Sequence, residues 1–148
     1  MGTTTFSGPV VSQNGFNDSR TAGSVLENIR RRFTIAEVNA GATLLPALPG
    51  AAYRMIACKA ISVGGAAGAV TTVDVLGTST SSRKLVAYAQ ANLTQSTVLV
   101  DGGTGGTVLA DGASYTTNDV NTAITVGKTG SSITTATHID IILDYVIE

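Results

Sequence analysis

The chain is short of charge and has one cysteine, one histidine and no tryptophan, and each shortage removes a class of explanation. Lysine, arginine, aspartate and glutamate make up 13% of the 148 residues, about half the share in ordinary soluble domains. The net charge is −1, so no bulk field draws in nucleic acid or an anionic membrane. Aromatics are 5% of the chain, and no stretch interleaves them with basic residues as a single-strand-binding groove requires. Cys58 has no second cysteine to pair with, so nothing points to an oxidising compartment. No apolar run nears the ~18 residues of a membrane span. The opening MGTTTFSGPVV has neither the charged start nor the apolar centre of a secretion signal. No nucleic-acid, membrane or cofactor partner is expected.

Glycine, threonine, serine and alanine fill the space left by charge, and mean hydropathy is +0.28. Such a surface is neutral and hydroxyl-rich, or is covered in part by other subunits, because an uncharged monomer of this hydropathy would be a poor colloid. The length fits one domain with a single core.

The clearest periodic stretch is the last, Thr137 to Glu148, reading THIDIILDYVIE. Strict alternation is the period of a β-strand. Ile139, Ile141, Leu143 and Tyr145 are expected to face inward. His138, Asp140, Ile142, Asp144 and Val146 form the opposite face, and Ile142 and Val146 there favour contact with a sister subunit over solvent. So apolar a strand must be paired on both edges, which places it at the centre of an antiparallel sheet.

Residues 1–23 show no period and read as an extended arm, with Phe6 and Phe16 as anchors and Pro9, Val10 and Val11 between them. Residues 24–148 are the folded domain. Ser24 to Glu27 has the form of a capping box, which predicts a short helix ending at Ile29 or Arg30. Phe33 to Val38 then switches to a period of two. Arg30, Arg31 and Arg32 between them are a solvated run, or a contact for an acidic patch on a partner. Leu44 to Pro49 is suited to a sheet edge or corner. Tyr53 to Val63 is a long strand with Tyr53, Met55, Ala57, Ile61 and Val63 on one face. It is expected to form a hairpin through Gly64-Gly65 with Val70 to Leu76, where Val73 and Val75 point inward. Lys84 to Leu93 fits helix or strand. Thr97 to Val100, Val108-Leu109, Ser114 to Thr116 and Ala123 to Val126 are short strands, and Gly127 to Ser132 is a loop. Short strands punctuated by Gly, Asp, Asn and Ser predict an all-β sandwich or jelly roll.

The motifs that could carry chemistry fail on spacing. Gly127-Lys128-Thr129 resembles the end of a phosphate loop, but Thr122 stands where the first glycine belongs and no helix follows. His138 and Asp140 share a strand face, yet a single histidine and two carboxylates make a poor zinc site. No G-x-S-x-G elbow positions a serine, and Cys58 among apolar residues is a small buried hydrophobe. No catalytic residue, metal ligand set or cofactor is expected, and the chain is read as structural rather than enzymatic.

Three stretches carry a resemblance: TTTFSGPVVSQNGF, NAGATLLPALPGAAYRMIACKAISVGG and ITVGKTGSSITTATHIDIILDYVIE. They resemble small virion proteins of tailed bacteriophages, and in particular the capsid decoration, or cement, proteins that attach outside the head. The resemblance implies a jelly-roll subunit, a homotrimer seated at capsid symmetry axes, made in the host bacterial cytoplasm and carried on the capsid exterior. Its partners would be the major capsid protein and itself. The arm, through Phe6, Pro9, Val10, Val11 and Phe16, would contact capsid subunits. A tail, fibre or head-completion component shares the same style, and its host-recognition surface would be the loops Gly77 to Ser82 and Gly102 to Gly106.

Overall fold

The computed structural model describes residues 26–78, 84–100 and 118–148. The arm with Phe6, Pro9, Val10, Val11 and Phe16, the Ser24 capping position, and the strands expected at Val108-Leu109 and Ser114 to Thr116 lie outside them, as does the Gly102 to Gly106 loop.

Among the described residues, eight strands and one short α-helix follow in order: β1 Glu27–Thr34, α1 Ile35–Ala40, β2 Ala42–Leu45, β3 Tyr53–Val63, β4 Val70–Leu76, β5 Val86–Ala89, β6 Val98–Val100, β7 Ile124–Gly130 and β8 His138–Ile147. They form two four-stranded antiparallel sheets, ordered β1-β8-β3-β6 and β2-β7-β4-β5. Each strand of the first half pairs with one of the second: β1 with β8, β2 with β7, β3 with β6 and β4 with β5. The all-β sandwich read from the strand spacing is the fold observed.

The sheets close on one core. Phe33, Cys58, Ala60, Leu99, Ile139, Ile141 and Leu143 enter it from the first sheet, and Val73, Val75, Val86, Tyr88, Ile124 and Val126 from the second, each buried. The alternation of β8 therefore has the meaning expected of it. Ile139, Ile141 and Leu143 are fully buried while β1 and β3 hold both edges. Tyr145 stays half-buried, its ring edge-on to Tyr53 at 5.4 Å.

Five local expectations give way. No helix begins at Glu27: β1 runs to Thr34, paired residue by residue with β8 from Glu27↔Tyr145 to Thr34↔His138. Ile29 and Phe33 are four apart, a spacing that serves a helix face or a strand face equally, and the partner strand decides. The helix lies instead where a strand was expected, at Ile35–Ala40. Its capping box is Thr34 with Glu37: the Glu37 N–H donates to the Thr34 hydroxyl, and the Glu37 carboxylate accepts from the Thr34 N–H at 2.7 Å. The Thr34 N–H foremost, and then the Thr34 hydroxyl donating to the same carboxylate at 2.9 Å, lower the Glu37 carboxyl from its ordinary value. Val38 anchors the helix in the core, and Gly41, at φ 83°, ends it.

Two further changes concern β3. A register shift between Met55 and Ala57 leaves Ile56 out of the ladder and 54% exposed. One extra residue moves every later side chain to the other face. Tyr53 points inward before the bulge, and Cys58, Ala60 and Ser62 do so after it, so Ala57, Ile61 and Val63 face outward rather than sharing the face of Tyr53. Nor is β3 in a hairpin with β4. The two strands belong to different sheets, and the Gly64-Gly65 turn carries the chain across the sandwich. Lys84 to Leu93 resolves as strand β5 followed by a 3₁₀ turn at Gln90–Asn92. Gly127 to Gly130, expected as a loop, completes β7 against β4, where no phosphate cradle can form.

Candidate functional site

The candidate site is the outer face of the β1-β8-β3-β6 sheet. Paired residues on neighbouring strands share a face, so the registers define its rows. One row runs Arg30, Ile142, Lys59, Val100, and the next runs Arg32, Asp140, Ile61, Val98. Asn28, Asp144 and Ala57 lie on one side of this pair, and Thr34, His138 and Val63 on the other.

The arginine triplet is divided by the strand's own period. Arg30 and Arg32 point outward onto Asp140. Arg32 donates from Nε at 2.7 Å and from Nη2 at 2.9 Å, a bidentate pair, and Arg30 donates from Nη2 at 2.8 Å. The Asp140 side chain is 1% exposed beneath two guanidiniums that are 60% and 53% exposed. The hydrogen bond from Arg32, joined by that from Arg30 and opposed by burial, holds the Asp140 carboxyl at about 2 from its ordinary 3.8. The same bond raises Arg32. Arg31 turns to the inner side at the open edge of the sandwich. Its guanidinium lies 4.7 Å from the Phe33 ring centre, donates to the Thr43 carbonyl at 2.6 Å, and stands 3.6 Å from Glu37. Arg31 thus ties the edge of the first sheet to β2 of the second. The triplet is neither a free solvated run nor one basic patch.

All five residues expected on the outer face of β8 are there. Asp140 lies under the arginines and cannot itself touch a partner. Asp144 accepts a short hydrogen bond from the Asn28 side chain, and His138 Nδ1 lies 3.0 Å from the Thr137 hydroxyl. Ile142 and Val146 are half-buried, as are Ile61, Val63 and Val100, while Val98 is 51% exposed. The face is therefore cationic along β1 and largely aliphatic towards β3 and β6, with Lys59 of β3 set among the aliphatic side chains.

Two further polar clusters escaped the sequence. On the outer face of the second sheet, Asp74 is 2% exposed, with Lys84 Nζ at 3.2 Å and the Thr129 hydroxyl donating to it at 2.7 Å. Lys84 also bonds the Thr129 hydroxyl at 2.9 Å. At one end of the sandwich, buried Asn118 accepts from the Tyr53 N–H at 3.0 Å and donates to the carbonyls of Gly77 and Thr122. Both clusters hold strands together, the Asp74 one through its Oδ2 hydrogen bond and the Lys84 ion pair. Neither carried a signal in the sequence, because most of their members are 10 to 65 positions apart. Among the described residues, no group of three His, Cys, Asp or Glu side chains is placed to hold a metal ion, and no helix is long and apolar enough to cross a membrane. Compared with known protein families, curated proteins and solved structures, the chain matches none.

Proposed function

We propose that this chain is a structural virion subunit that binds the outside of a tailed-phage head and stabilises it. It acts as a homotrimer whose arm, residues 1–23, reaches the major capsid protein. The observation that carries this reading is the outer face of the first sheet, where Ile142, Ile61, Val98 and Val100 lie beside Lys59 on β3 and fixed arginines on β1. Aliphatic side chains left at the surface beside fixed arginines suit a protein neighbour. The resemblance to decoration proteins supplies the neighbour, the capsid shell. The strand pairing supports the jelly-roll form of the sandwich, since pairing β1 with β8, β2 with β7, β3 with β6 and β4 with β5 is what results when one long ribbon of two four-strand halves is rolled up.

Many modest contacts repeated by symmetry hold such a subunit in place through avidity. An arm that orders on binding spreads contacts over more than one neighbour, at a cost in affinity. The test mixes purified protein with mature, expanded heads and measures saturation by co-sedimentation and head survival on heating. Saturable binding that protects heads, lost when residues 1–22 are deleted while the sandwich still folds, is expected. Absence of binding to heads, or binding to host cells instead, would overturn the reading.

A further inference from the structure

We propose that the outer face of the β1-β8-β3-β6 sheet is a receptor for an acidic segment of a partner protein, with carboxylates held by Arg30 and Arg32 and adjoining apolar side chains seated on Ile142, Ile61 and Val98. The identity of the partner as the capsid shell rests on the proposed function; the chemistry of the site does not.

The arginines are prepared for this. Asp140 takes three of their N–H donors, and the remaining donors of each five-donor guanidinium stay at a surface more than half exposed. Asp140 is buried and cannot move with a ligand, so it fixes both guanidiniums before the partner arrives and removes rotamer freedom that binding would otherwise cost. It neutralises only one of the two charges. Lys59, in the row of Arg30, adds another cation. The two central rows thus hold three cations against one carboxylate, in a chain whose net charge is −1. An anionic partner is the complement.

The rest of the face decides which anion. From β1 to β6 it crosses three inter-strand gaps, about 14 Å, passing from guanidinium to Ile142, Ile61 and Val98. A peptide with acidic residues followed by apolar ones covers that gradient. A nucleic-acid backbone would leave the apolar half against water. A second copy of the same face would set guanidiniums against guanidiniums, or bury them on Ile61 and Val98 without a counter-charge, which is costly.

The test titrates isotope-labelled full-length protein with a short peptide, Asp-Glu-Asp-Gly-Val-Ile-Val-Thr, and maps backbone amide shifts. Shifts centred on Arg30, Arg32, Ile61, Val98 and Ile142 are expected. Binding should weaken at least about tenfold for the Asn/Gln form of the peptide and for the Arg30→Gln protein, in line with loss of a charged pair. Arg30→Gln leaves the bidentate Arg32–Asp140 pair in place, and Lys59→Gln, outside that pair, serves as an independent second variant. No shifts, shifts elsewhere, indifference to the peptide's charge, or tighter binding of a short DNA duplex to the same residues would overturn the inference. Purified heads separate it from the proposed function. If the peptide leaves the face unshifted while wild-type protein and both variants bind heads equally, the site is wrong and decoration stands. If the peptide maps to the face but heads are not bound, the site stands and decoration fails.

Discussion

Replacing Asp140 by asparagine keeps the shape of the side chain and removes its charge from beneath two arginines. The carboxyl is held at about 2 in the fold against an ordinary 3.8, a difference equivalent to about 2 kcal/mol of stability at neutral pH. Because Arg30 and Arg32 are more than half exposed, water screens part of this, and about 1–2 kcal/mol is expected. For a chain of this size that lowers the melting temperature by about 3–6 °C. The pH dependence follows from the direction of the shift. A carboxyl depressed in the fold contributes fully above its unfolded value, and the contribution is lost as pH falls through its folded value. The gap between wild type and Asp140→Asn should be flat from about pH 7 to about pH 5, then close from about pH 4 to about pH 2. Thermal unfolding followed by circular dichroism across that range measures it. Equal stability at pH 7, or a gap that persists undiminished near pH 2, would refute the account of the cluster.

Asn118→Ala should cost about 1–3 kcal/mol, because it strands the Tyr53 N–H at a buried position, while the Gly77 carbonyl keeps the Asp119 N–H; urea unfolding gives the value, and a loss below about 0.5 kcal/mol would show that water replaces the amide. Gly64→Ala places a Cβ at φ 77° against the Thr137 side chain and should cost about 1–2 kcal/mol from the left-handed backbone alone, with Gly127→Ala, at ordinary contact distance from Leu76, as the milder comparison in the same melt. Thr34→Ala removes the N-cap of α1 and should cost about 1 kcal/mol, with amide exchange of Glu37 and Val38 rising before that of β8.

Much of the sandwich was legible because its signals are local. The alternation of β8 named its buried face and its place between two neighbours, and the turn-rich spacing named the all-β class. The outer face of β8 was legible in the same way, down to Ile142 and Val146. The bulge at Ile56 was not, since a single extra residue leaves composition and pattern intact while reversing the faces of Ala57, Ile61 and Val63. The capping signal existed twice, at Ser24 to Glu27 and at Thr34 to Glu37, and only the strand pairing of β1 shows that the second is the one at work. The arginine triplet hid its division for a similar reason: strand or helix decides which of Arg30, Arg31 and Arg32 share a side.

Periodicity is a property of neighbouring residues, so the sequence alone determined that this is a β protein with a fully paired final strand. Which strands pair is a property of closing the core. That closure set Arg30 and Arg32 on Asp140, more than a hundred positions away, sent β3 and β4 to opposite sheets, and made a cationic and apolar face from residues that no local pattern connects. Burial rewards contacts wherever in the chain they come from, and here nearly every decisive contact joins one half of the chain to the other.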